Sequence, residues 1–326
     1  MPINLASLFT KEAIIRYLKS LPIIKTPVMD LIYTDRPLNP LPVVGADMIT
    51  EVANTLPVVR RGAASIPAGS ESGAVSFYEP LPIRPNKSVT GADLNNLKLL
   101  GRSGLDTWAR EKTDLLRKIV RRTTEGMCAV SLAGTFTWPV QLESGQFENW
   151  SIAFGSILSV TPAVLWSDSA AKLKDVFETL QAMEEAINEK GYGSAYEIWA
   201  GKTAYSTLFA LAEKSTTTAK IRVELSDQGI NVGGYLVKRR ADKVMNPQTK
   251  ALTPVVADKD VKMIATDANH RLVYNALDDL DANLVAMPLF IKPIPMKDPS
   301  GYKLVGESKP FPIPNVNGIC GATVIT

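Results

Sequence analysis

From Ser103 to Leu132 the chain keeps one helical period. Leu105, Trp108, Leu115, Ile119, Thr123, Met127 and Val130 recur at steps of three, four and seven, which predicts one buried helix face. Ser103 and Asp106 stand at capping-box spacing at its start, and no proline interrupts it. At 1.5 Å per residue such a helix is roughly 40 Å long, against the ~11–12 residues usual in globular proteins. Trp108 and Lys112 break a strict heptad, which argues against a coiled coil. A lone helix of this length among strands and prolines predicts the spine of an extended subunit.

Upstream, residues 4–19 place Leu5, Leu8, Phe9, Ile15 and Leu18 at amphipathic-helix spacing. Pro22, Pro27, Pro37, Pro40 and Pro42 then come too close together for a helix or a central strand, so an extended arm with short β-like pieces such as Val28–Tyr33 is expected. Val43–Val52 and Leu56–Arg60 read as strands, Gly62–Gly73 as a turn-rich tip, and Val75–Tyr78 with Pro80–Pro85 as the return. Together they describe a long two-stranded flap with little core of its own. An isolated hairpin is marginal in water, so arm and flap are expected to find support on neighbouring copies; a plain surface loop is the other reading of the flap. Thr90 and Asp93 repeat the capping-box spacing before a short helix, Ala92–Leu100, that Gly101 ends.

Downstream the period changes to strands. Thr135–Leu142 and Phe147–Phe154 flank a turn at 143–145 and predict a hairpin. Ser167–Lys190 carries Leu173, Val176, Phe177, Leu180, Met183 and Ile187 on one helical face and stops at Gly191. A strand at Glu197–Ala200, a helix at Thr203–Glu213, and strands at Ile221–Leu225, Gly234–Arg239 and Val261–Ala265 follow, with a turn at Asn246-Pro247. Leu284–Ile291, Tyr302–Glu307 and Ile319–Ile325 read as closing strands, with a reverse turn at Asp298–Gly301. Loose alternation of this kind predicts an α+β fold rather than a doubly wound sheet.

Composition removes several function classes. The 326 residues are 45% apolar and 21% charged, an ordinary globular mix, and the net charge of +3 does not by itself mark a nucleic-acid binder. Cys128 and Cys320 form no disulfide framework, and Cys128 reads as a buried free thiol, so a soluble protein made in a reducing cytosol is expected. The first twenty residues lack an apolar signal core, and no run approaches a membrane span.

Catalytic candidates are weak. Gly201-Lys202-Thr203 follows a strand and opens a helix, but position 196 is Tyr where a phosphate loop needs glycine, so nucleotide binding by an enzyme is a minor reading. Gly229–Gly234 lacks the dinucleotide order and reads as a turn or an edge glycine pair. His270, the one histidine, reads as a polar loop residue, and Asp278, Asp279 and Asp281 as a helix end or solvated turn. No catalytic, cofactor or metal residue is assigned. The charge feature is Arg117, Lys118, Arg121 and Arg122, two i,i+4 pairs on the exposed side of the long helix: a solvated face or a sequence-independent phosphate contact. Arg60, Arg61 and Arg84, on the flap and its return, are candidates for contact with acidic groups of a neighbour.

The order of these pieces resembles the tailed-bacteriophage major capsid proteins of the lambda gpE type, over nearly the whole chain. The resemblance is carried by Leu56–Gly62, Phe77 and Pro80–Pro85 at the extended loop, Thr90–Leu94 before the spine, Trp166–Gly191 and Glu197–Gly201 in the axial part, and Pro288–Lys292, Asp298–Ser300 and Ser308–Pro314 in the tail. It implies the HK97 fold, with residues 1–42 as N-terminal arm, 43–88 as extended loop, 89–162 as spine helix and first part of a peripheral domain, 163–283 as axial domain and 284–326 as the peripheral domain's return strands. It also implies self-assembly into hexamers and pentamers that close an icosahedral virion head around double-stranded DNA. The partners it implies are a portal, a scaffolding protein and a decoration protein, with no cofactor, no membrane and no fused scaffolding segment expected. Arg60, Arg61, Phe77, Tyr78 and Arg84 become expected intersubunit contacts, and Arg117, Lys118, Arg121 and Arg122 expected to face the lumen and DNA. A cellular nanocompartment shell of the same fold, enclosing protein cargo, is the alternative.

Overall fold

The computed structural model describes residues 11–45, 77–97, 102–214 and 221–326. It opens on helix α1 (Lys11–Ser20), whose Ile14 and Tyr17 are buried against Ala109 and Leu116 of the long helix. A second helix, α2 (Pro27–Leu31), stands where an extended piece was expected. The reason is local and tertiary at once. Pro27 occupies the first turn, where its missing N–H is harmless. Thr26 N and Oγ1 donate to Asp30 Oδ2 at 3.1 and 2.9 Å. The exposed amides of Val28 and Met29 then donate to the two carboxylate oxygens of Glu125 at 2.8 and 2.9 Å. Val28, Met29, Ile32 and Tyr33 are no more than 1% exposed, so this part of the arm is sheltered by its own chain and not only by neighbouring copies. Strands β1 (Leu38–Asn39) and β2 (Val44–Gly45) follow.

β2 pairs antiparallel with β3 (Phe77–Tyr78), in the register Val44↔Tyr78 and Gly45↔Phe77. This is the base of the expected flap. The strands and tip beyond it, with Arg60 and Arg61, lie outside the described residues, as do residues 4–10, 98–101 and the side chain of Ser103. β4 (Asn86–Thr90) leads into α3 (Gly91–Leu97) through the predicted cap: Thr90 N donates to Asp93 Oδ2 at 3.0 Å and Asp93 N to Thr90 Oγ1 at 3.4 Å.

The spine is α4, Arg102–Ser131, 30 residues long. Its inner face differs from the predicted one. Ala109, Thr113, Leu116, Val120, Thr124 and Met127 are buried, whereas Leu115 and Ile119 are about 40% exposed. Two threonines disguise the true stripe. Thr113 Oγ1 donates to Ala109 O and Thr124 Oγ1 to Val120 O, at 2.8 and 3.0 Å, so these hydroxyls satisfy themselves on the helix and can be buried.

β5 (Thr135–Gln141) and β6 (Phe147–Ala153) form the predicted hairpin, and β7 (Leu158–Ser159) follows. α5 (Leu173–Asn188) starts six residues later than predicted, because Asp168 turns its carboxylate to Ala170 N at 2.9 Å and holds a turn instead. β8 (Tyr196–Ala200) and α6 (Lys202–Lys214) match their predicted positions. β9 (Val223–Ser226), β10 (Gly229–Val232) and β11 (Tyr235–Arg239) form a meander. The predicted glycine turn is thus confined to Gly233 and Gly234, at φ of 60° and 109°. β12 (Lys243–Met245) and β13 (Leu252–Pro254) pair as a small hairpin around the Asn246-Pro247 turn, followed by β14 (Asp260–Ala265) and β15 (Arg271–Asn275).

β16 spans Phe290–Met296, not Leu284–Ile291; its Pro293 and Pro295 are tolerated because it is an edge strand of the sheet β16-β17-β4, with β17 at Gly301–Glu307. β18 (Pro310–Ile313) closes a second three-stranded sheet, β1-β15-β18, and β19 (Ile319–Thr323) ends the chain. The largest sheet runs β7-β19-β14-β8-β11-β10-β9, and α5 and α6 bury Val176, Leu180, Met183 and Leu208 in the core built on it.

Replacing Glu125 by Ala leaves two amides of α2 without acceptors. Denaturant unfolding is expected to show a loss of about 1–3 kcal/mol, and peptides covering residues 26–33 are expected to exchange deuterium faster than in the unaltered protein.

Candidate assembly surfaces

Of the basic residues of the spine, Arg117, Lys118, Arg121 and Arg122 divide into two columns roughly 100° apart on the helix. Arg117 and Arg121 turn toward the arm. Arg117 donates to Pro22 O at 2.7 Å and to Asp114 at 2.8 Å; Arg121 donates to Thr26 Oγ1 at 2.6 Å and to Asp30 at 2.8 Å. Arg36 adds bonds to Asp30 Oδ1 and Met29 O at 2.9 and 2.6 Å. Burial pulls the Asp30 carboxyl upward, but bonds from Arg36 and Thr26 and the Arg121 charge leave it below its ordinary value. Lys118 and Arg122 face solvent instead, beside the exposed Leu115 and Ile119; Lys118 touches only Asp114, at 2.6 Å, among the described residues.

At the flap base Phe77 is 64% exposed, while Tyr78 is half-buried and stacks on Phe311 at 6.4 Å. Arg84 already has a partner in its own chain: its Nε lies 3.0 Å from Glu307 Oε2. Glu307 is buried, and desolvation raises its carboxyl against the lowering effect of Arg84.

The weaker chemical candidates resolve into structure. The amides of Thr203 and Ala204 both donate to Asp258 O at 2.9 Å, so the start of α6 offers no free amide cradle there. His270 lies in the loop before β15, as expected, but is buried there at 2% exposed: Nε2 meets Ala265 O at 3.0 Å, and Asn315 N donates to Nδ1 at 3.1 Å. Cys128 is buried and its thiol is pushed well up by desolvation. Asp279 caps a 3-10 turn (Leu280–Ala282), as a helix end should, but it is buried rather than solvated. Lys292 bridges it to Asp281 at 2.6 and 2.7 Å, and the buried Lys309 pairs with Asp278 at 2.9 Å. Sequence reasoning missed both lysines, since 11 to 31 residues separate them from their acids. No cluster of three metal-ligating side chains occurs among the described residues, and no described helix is long and apolar enough to cross a membrane.

A long spine with α1 and α2 docked along it, and β2 paired with β3 at the two ends of the segment expected to form the flap, agree with the layout expected of a shell subunit. Residues 10–324 match the family described as phage major capsid protein E, and the chain belongs to that family. It is a major capsid protein, a structural component of the virion shell. In three dimensions it resembles a protein described as a prophage capsid protein of E. coli CFT073, with a TM-score of 0.63 and 13% identity over 97% of this chain and 99% of that one. It also resembles a phage-related protein from Bordetella bronchiseptica RB50, with a TM-score of 0.50 and 13% identity over 96% of each chain. The fold is HK97-like, in the α+β class predicted. Among curated proteins none matches the sequence.

Burial holds the His270 imidazole down to about 4, from an ordinary 6.5, against raising effects of the Ala265 bond and the Asp267 charge. Between these values the unfolded chain binds a proton that the folded chain refuses. Stability contributed by neutral His270 is therefore complete above pH 6.5 and falls as pH drops toward 4, by on the order of 3 kcal/mol. With a single histidine in the chain, one imidazole NMR signal reports it; that signal is expected to remain neutral at pH 5.5, where an exposed histidine is mostly protonated.

Proposed function

We propose that this capsid protein assembles as hexamers and pentamers into an icosahedral phage head that encloses double-stranded DNA, in a host cytoplasm where a portal, a scaffolding protein and a decoration protein join it. The observation that carries the reading is the flap base: β2 and β3 pair where the chain leaves a well-buried body, with Phe77 open to solvent beside them. In this reading residues 1–42 act as the arm, 43–88 as the flap, 89–162 and 284–326 as the spine and peripheral domain, and 163–283 as the axial domain. Arg60, Arg61, Phe77, Tyr78 and Arg84 are the flap's contacts with a neighbour. Val28, Met29, Ile32 and Tyr33 of the arm are covered within one subunit while Ile23, Leu38 and Leu41 stay exposed, so the energy of assembly comes from surfaces left open and repeated by symmetry.

The lumen reading of the basic residues narrows. Arg117 and Arg121 already hold Pro22, Thr26 and Asp30, so their charges are largely committed to the arm. Lys118 and Arg122 are the pair left to meet phosphate, by sequence-independent attraction.

Electron microscopy of the recombinant protein, alone and with its co-expressed neighbours, tests the shell itself: closed icosahedral particles are expected, and a persistently monomeric protein would refute it. Deleting residues 62–73 is expected to abolish closed particles while subunits keep their circular-dichroism spectrum and melting transition.

Lys118→Glu with Arg122→Glu is expected to leave particle yield within twofold but to lower retained nucleic acid and its salt resistance. Unchanged DNA content counts against the lumen assignment, and particles filled with protein instead of DNA would favour the nanocompartment alternative.

A further inference from the structure

We infer that the loop between β15 and β16 is a knob that seats in a cleft on a second copy of this chain, with Leu280 and Leu284 entering the cleft beside Lys262. The inference rests on the shell reading above and adds where two copies meet.

The loop exposes apolar side chains on a preformed frame. Leu280, Leu284 and Val285 are 83%, 54% and 45% exposed. Single exposed leucines are unremarkable on a protein surface; three such residues within six positions form a patch. Leu284 takes a φ of 55°, directly after Asn283 at the same angle. A leucine in the left-handed region is an outlier that survives only where its surroundings impose it. Here they do. Lys292 ties Asp279 to Asp281, Asp279 accepts from Asp281 N at 2.9 Å, and Leu277 N reaches back to Val285 O at 3.4 Å across the neck. The tip has little conformational freedom left to lose on docking, the condition under which a small contact is most effective. The carboxylates beside it stay open at their outer edges: the Asp278 and Asp281 side chains are 64% and 69% exposed.

The cleft has the complementary character. It encloses about 250 Å³ between the last turns of α4, the strand β5 and the β12–β13 hairpin, with Val130, Trp138, Val244 and Pro254 as apolar walls and Lys262 on its lining. The Lys262 ammonium donates to Leu132 O, at the end of the spine, at 3.1 Å. An ammonium has three donors, and this carbonyl is its one hydrogen-bond partner among the described residues. Desolvation lowers its pKa to about 8, with Asp260 opposing; a carboxylate arriving at the cleft mouth would stabilise the charged form. An apolar hollow with a partly satisfied cation thus faces an apolar tip flanked by carboxylates. Knob and cleft sit on different elements of one chain, so the contact is head-to-tail, the kind that closes rings of copies.

A cysteine pair tests it. Cys128 and Cys320 are buried and give little background. Thr253 lines the cleft and is exposed. In the full chain carrying Leu284→Cys and Thr253→Cys, mild oxidation of assembled particles is expected to give a ladder of covalent oligomers on a non-reducing gel, while either single variant and the unassembled double variant stay monomeric. As a second measurement, Leu280→Asp with Leu284→Asp is expected to keep the subunit folded, since Asp tolerates the left-handed region better than Leu, and to cut particle yield at least tenfold by sedimentation. Particles without a ladder, or full particle yield from the double aspartate variant, overturn the contact. Unaltered protein that forms no particles at all overturns the shell reading instead.

Discussion

A helix of 30 residues presents more circumference than a small body can cover, and the rest of this molecule is arranged by how that circumference is shared. Along its buried side the spine feeds three separate apolar clusters. Ala109 and Leu116 meet α1 and the β16-β17-β4 sheet; Cys128, Ala129 and Leu132 meet α2 and the back of the large sheet; Met127 meets Phe136 and Phe311. Because all three draw on one rigid rod, their relative positions are set by helical geometry and not by loop length. The flank that remains, around Leu115, Lys118, Ile119 and Arg122, stays exposed among the described residues.

The arm shows how one polar side chain can decide where a segment belongs. α2 has five residues, too few to be stable alone given the cost of helix nucleation. Glu125 supplies acceptors for its first free amides, Arg121 and Arg36 gather around Asp30, and Tyr33 reaches Ser131 Oγ at 2.7 Å. Burial raises the Glu125 carboxyl while the Met29 and Val28 bonds pull it back. Proline does not make this limb loose. It removes the option of a long helix and so leaves the segment free to follow the spine.

Much of the fold was legible from local chemistry, and the exceptions share a cause. The spine, the β5–β6 hairpin, α5, α6 and the Thr90–Asp93 cap follow from period and capping, which are properties of neighbouring residues. α2 was not legible, because its decisive partner is 97 residues away. β15 and β18 were not among the predicted strands; they pair with each other 35 or more residues apart, and β18 carries Pro310 and Pro312 as an edge of its sheet. The spine's inner face was misplaced because buried Thr113 and Thr124 look polar on paper. At the candidate surfaces the basic run itself was visible, but not its division: nothing local says that the arm lies along Arg117 and Arg121 rather than along Lys118 and Arg122. The flap's own strands and Arg60 and Arg61 fall outside the described residues.

These failures bear on how such a subunit works. A protein that must meet many identical copies gains from having its internal contacts settled beforehand, because ordering that remains to be done at an interface subtracts from the affinity of every contact. The long-range polar bonds that the sequence concealed, Glu125 to α2, Lys292 to Asp279 and Asp281, Lys309 to Asp278, all serve that end: each ties a surface segment to the body in a single geometry. Apolar residues left outside that frame, such as Phe77 and Leu280, are then presented on fixed supports. Modest contacts of this kind, weak singly and repeated by symmetry, let a shell of many copies close without any one interface being so strong that misplaced subunits could not leave again.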